Sequence, residues 1–116
     1  MEKKKIRERS YDFAVRMIKF VNSLPKNAIN SIIGKQVLSS GTSIGANVEE
    51  AEGAFSKDEF TYKMSISFKE AKETNYWLRL IKGSTMVNSQ ELDFLIQESE
   101  ELTKILASIV KSSKQK

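Results

Sequence analysis

Ala28-Ile29-Asn30-Ser31-Ile32-Ile33-Gly34-Lys35-Gln36-Val37-Leu38-Ser39-Ser40-Gly41-Thr42-Ser43-Ile44-Gly45-Ala46-Asn47-Val48-Glu49-Glu50-Ala51-Glu52 is the stretch on which the architecture turns. Its centre is made of poor helix formers, each Gly costing about 1 kcal/mol relative to Ala. A loop at 39–42 would divide the chain into five short helices, and a continuous helix would leave four. Ile29, Ile33, Val37, Ser40, Ile44, Val48 and Ala51 nevertheless keep a three-or-four residue step straight through the weak centre. A loop is under no pressure to hold that phase, so the spacing predicts one helix over Ala28–Glu52.

The flanks bound this helix and supply three more. On the N-terminal side, Pro25 has no donor for a helical ladder and disfavours helical geometry at Leu24, so it ends a first helix. That helix presents Ile6, Phe13, Met17, Val21 and Leu24, and Asn27 can cap the next one. On the C-terminal side, Gly53 and later Gly83 can close helices in the left-handed conformation. Ser56-Lys57-Asp58-Glu59 reads as a capping box, and Asn88 stands three residues before Glu91 in the same way. The third helix carries Phe60, Met64, Phe68, Ala71, Asn75 and Leu78, and the fourth carries Leu92, Leu95, Ile96, Leu102, Ile105, Leu106 and Ile109. No stretch alternates with period two. The expected fold is all-α, an antiparallel up-down-up-down four-helix bundle formed by one domain over 1–116, with short basic tails at about 1–9 and 111–116.

Composition removes whole classes of chemistry. The 116 residues include neither Cys nor His. Disulfides, thiolate nucleophiles, imidazole bases and His-ligated metals are therefore excluded. The longest stretch free of charge, Gln36–Val48, is polar and shorter than the roughly 20 apolar residues a membrane span needs. No secretory leader is visible, so a cytoplasmic protein without a membrane partner is expected.

Charge is segregated. The net charge of +4 divides into +3 on residues 1–9, +3 on residues 111–116 and −2 on the rest. In an up-down-up-down bundle the two tails meet at one pole. Lys3, Lys4, Lys5, Arg7, Arg9, Lys111, Lys114 and Lys116 are thus the candidate nucleic-acid contacts, holding phosphates without sequence preference. The alternative is a pair of solvated ends.

The run Ser39-Ser40-Gly41-Thr42-Ser43-Ile44-Gly45-Ala46-Asn47-Val48-Glu49-Glu50-Ala51, with Ser56-Lys57-Asp58-Glu59-Phe60 and Lys69-Glu70-Ala71-Lys72-Glu73-Thr74-Asn75-Tyr76-Trp77-Leu78, resembles the bacterial 23S rRNA intervening-sequence proteins. The resemblance spans Phe13 to Ile81. It implies a four-helix bundle assembled into a ring, a pentamer, and no defined reaction. The accessory proteins of diversity-generating retroelements look similar, and those bind nucleic acid and a reverse transcriptase. Gly34, Gly41 and Gly45 then have two possible uses. They either thin the core inside one bundle or form the contact between subunits. Gln36, Ser40, Ser43 and Asn47 form a polar row that either faces solvent or makes a hydrogen-bonded seam.

Other chemistry is weaker. Glu49, Glu50, Glu52, Glu70 and Glu73 could contribute to an all-oxygen metal site, but pairing with neighbouring lysines explains them more simply. Ser39–Ser43 has no base beside it, so no catalytic, cofactor or metal residue is assigned. The aromatic residues at helical spacing read as core, Tyr11 and Tyr62 less so than the others. The sequence points to a non-enzymatic, oligomeric bundle that binds RNA or DNA through a basic pole. The alternative is an adaptor that docks a protein partner on a ring.

Overall fold

The computed structural model describes residues 5–84 and 86–115. Among them are four helices and no strand: α1 Ile6–Asn22, α2 Ala28–Glu52, α3 Lys57–Gly83 and α4 Gln90–Lys114. The phase argument for α2 holds, and its two ends fall where the breakers place them.

Caps explain most boundaries. Asn27 accepts from the Asn30 amide, Ser56 from Glu59 and Ser89 from Leu92. The fourth helix is capped by Ser89, one residue after the expected Asn88, because its hydroxyl reaches the third amide of the turn. The capping box is also offset: the Glu59 carboxylate accepts from the Phe55 amide rather than from Ser56. Gly53 ends α2 with φ −97°, not in the left-handed region. The chain leaves that helix through a tight turn in which the Gly53 and Ala54 amides reach back to Glu50 and Ala51.

Each helix runs antiparallel to the next, and side-chain contacts fix the register. Ser67 Oγ donates to the Ile44 carbonyl, and Thr74 Oγ1 lies 2.8 Å from Ser40 Oγ, locking α3 to α2. Asn75 Nδ2 donates to Ser99 Oγ, locking α3 to α4. Phe13, Met17, Val37, Ile44, Val48, Met64, Leu78, Leu95, Leu102 and Leu106 fill the core at 1% exposure or less. The predicted row on α2 is displaced at its start: Ile29 is 61% exposed, and Asn30 turns inward to donate to the Pro25 carbonyl.

The small residues of α2 serve a close approach within the chain. A Cβ on Gly45 would lie 3.3 Å from the Ser10 carbonyl oxygen, one on Gly41 2.9 Å from Met17 Cγ, and one on Gly34 3.3 Å from Val21 Cγ1. All three glycines are buried against α1. The contact they make within the chain is the α1–α2 seam. The polar row divides. Ser40 joins the buried seam, while Ser43 and Asn47 bond to carbonyls of their own helix and Gln36 is exposed.

Candidate nucleic-acid interface

The pole where both tails leave brings lysines and arginines together with the acids Glu49, Glu50, Glu52, Asp58 and Glu59, and it is assembled from three places. The start of α1 lies beside the end of α2, where Arg7 Nε meets Glu49 Oε1 at 2.9 Å. The end of α4 lies beside the start of α3, where Lys57 Nζ donates to the Gln115 carbonyl at 2.8 Å. The turn from α2 to α3 joins these two regions and displays Phe55, which is 99% exposed. Both tails therefore leave from one pole, as the topology requires.

The candidate contacts are not equivalent there. Lys3, Lys4 and Lys116 lie outside the described residues. Lys5, Lys111 and Lys114 are exposed and make no ion pair among the described residues. Arg7 is bound to Glu49, and this hydrogen bond holds its guanidinium above the ordinary arginine range. Arg9 makes a two-pronged pair with Glu98, 2.6 Å from Nε and 2.9 Å from Nη2, with both side chains largely withdrawn from solvent. Its charge is committed to holding α1 on α4. The hydrogen bond to Glu98 raises Arg9, and burial opposes that rise.

Arg9 has a counterpart one heptad along. Arg16 forks onto Glu91 at 2.7 and 3.0 Å, and its guanidinium lies 3.7 Å from the centre of the Phe94 ring. Arg16 in turn holds Glu91 below the usual carboxylate range. The sequence carried a signal for this ladder. Arg9 and Arg16 are seven apart, and so are Glu91 and Glu98, which puts like residues on one helical face.

The acidic cluster disperses. Glu49 pairs with Arg7, Glu50 with Lys63 at 2.6 Å, and Glu73 accepts from the Trp77 indole. Among the described residues no three carboxylates converge as metal ligands would. Glu70 is pushed up by burial and then by Glu73. Of the aromatic residues, Phe13 and Phe20 are core, whereas Tyr11, Tyr62 and Tyr76 are 63%, 62% and 48% exposed. Arg79 and Lys82 lie at the opposite pole, where Lys82 meets Asp93 at the start of α4. Among the described residues no helix is long and apolar enough to cross a membrane.

Four antiparallel helices, with both tails leaving one partly ion-paired pole, define a small α-helical bundle. The chain belongs to the 23S rRNA-intervening sequence protein family, whose model matches residues 2–108. It is similar to a Bacteroides thetaiotaomicron protein of unknown function from the S23 ribosomal protein family, solved as a crystal structure. The two are 37% identical with a TM-score of 0.83, over 92% of this chain and 99% of that one. Among curated proteins, none matches.

Proposed function

We propose that this protein is a non-enzymatic, oligomeric helical bundle that holds nucleic acid through its tail-bearing pole without reading sequence. The observation that supports this most is the set of exposed lysines without an ion pair among the described residues, Lys5, Lys111 and Lys114, at the pole where both tails leave. Among the described residues no helix-turn-helix or stacked-sheet reader accompanies them, so phosphates are the contact this reading invokes. The family's description refers to 23S rRNA, which makes RNA the first polymer to test.

Affinity should fall steeply with salt, the logarithmic slope being about −0.7 per phosphate on single strands and −0.9 on duplex DNA. Replacing Lys5, Lys111 and Lys114 by Gln should weaken binding and flatten the slope, while Arg79→Gln with Lys82→Gln at the far pole should change neither. Anisotropy titrations across a salt series measure this. Absence of binding at low salt, or a triple variant equal to the wild type, would refute the reading.

A second reading is favoured by exposed apolar side chains. Tyr11 and Ile18 stand seven residues apart on α1, and Ile29 and Ile32 stand on α2, each more than half exposed. Such faces suit a second copy or a protein partner, in keeping with the ring that the family resemblance implies.

A further inference from the structure

The start of α3 and the end of α4 enclose an open groove of about 620 Å³. Lys57 and Lys114 line it, with Thr61, Ser113 and Tyr62 between them, and Asp58 is the one carboxylate in the lining. Three features set it apart from a generic basic surface. First, its shape is braced: Lys57 holds the Gln115 carbonyl, and the Thr61 and Ser113 hydroxyls are hydrogen-bonded to each other across the floor. Second, the Tyr62 ring is 62% exposed although the core beneath is well filled. Third, the fully exposed Phe55 precedes Lys57 by only two residues, in the turn that opens α3.

We infer that this α3–α4 groove binds single-stranded nucleic acid, with Lys57 and Lys114 on successive phosphates and an unpaired base stacked on Tyr62. Lysines beside an exposed aromatic face match a strand that offers phosphates and bare bases together. A duplex offers only the phosphates, because its bases are stacked on one another. An acidic peptide would satisfy the lysines and leave the ring unused. The inference rests on the nucleic-acid reading above and goes beyond it in naming the groove, the strandedness and the ring.

The test uses fluorescein-labelled oligo(U) of about 20 nucleotides, which spans at least one typical single-strand site, and an RNA duplex of similar length. The wild type should bind the single strand more tightly. Tyr62→Ala should weaken single-strand binding about tenfold and leave duplex binding unchanged, and Tyr62→Phe should restore it, since stacking needs the ring and not the hydroxyl. Lys57→Gln with Lys114→Gln should weaken both ligands and reduce the single-strand salt slope by about 0.7 per lysine. Circular dichroism on each variant separates lost binding from lost fold. If the wild type binds neither ligand, the nucleic-acid reading fails and takes the groove with it. If it binds and Tyr62→Ala binds oligo(U) equally well, or a polyglutamate peptide competes as well as RNA, the groove assignment is overturned while phosphate binding by the pole stands.

Discussion

A methyl group on Gly45 would press on the Ser10 carbonyl oxygen, which belongs to the backbone of α1 and cannot rotate aside. Gly45→Leu should therefore destabilise the subunit by about 1–3 kcal/mol, the range for overpacking a tight contact. Denaturant unfolding would measure it. Gly34 makes the contrast, because its neighbours are the side chains of Val21 and Leu24 and a small addition meets something that can move. Glu70 offers a pH test. Burial, then Glu73, raises its pKa in the folded state. Its ionised form is thus less welcome in the fold than in the unfolded chain. The favourable contribution is complete below the unfolded value of about 4.3 and is lost as pH rises through the raised folded value. Glu70→Gln should raise the melting temperature at pH 7, and that gain should disappear as the pH falls to 4. A gain that persists in acid would show that the carboxylate's ionisation is not the cause.

The helices themselves are joined by two kinds of seam. Between α2 and α3 the seam is polar and buried: Ser40, Ser67 and Thr74 are at most 2% exposed and all are hydrogen-bonded. Removing one partner there leaves another unsatisfied, which costs about 1–3 kcal/mol. Ser40→Ala and Thr74→Val should each cost that much, and the double variant should cost less than their sum. Additive losses in thermal unfolding would mean that the pair is not coupled. The sequence made the four helices legible because period, caps and Pro25 all agree. It left the glycine stripe ambiguous, since small residues look the same whether the approaching backbone belongs to α1 or to another subunit. Its charge count was also incomplete as a guide to the pole. Arg7 and Arg9 read as free cations until Glu49 and Glu98, distant in sequence, are brought beside them. The sequence set Tyr62 apart from the core aromatics, but how far its ring is exposed is a matter of packing that spacing on a helix does not reveal.

For the molecule as a whole, assembly is the property that the remaining surface bears on. The glycines pack against α1 within the subunit, and the exposed apolar side chains outside it, Tyr11 and Ile18 on α1 first, are the candidates for a contact between copies. Light scattering at micromolar concentration should give a multiple of 13.2 kDa. Tyr11→Ser with Ile18→Ser should reduce it without lowering helicity. A single-subunit mass for the wild type would remove the ring and leave a monomeric basic bundle.

The unequal attachment of α1 has a consequence for how the molecule comes apart. On one side this helix lies backbone-close to α2 through Gly41 and Gly45. On the other it touches α4 less extensively and is held there by Arg9 on Glu98 and Arg16 on Glu91. Among the described residues the α2 side adds one ion pair, Arg7 on Glu49, to its close packing, whereas the α4 side has two, of which the more exposed Arg16–Glu91 pair is the one salt screens most. The bundle is therefore built like a door with its hinge along α2 and its latch along α4. Raised ionic strength should loosen that latch more than the hinge.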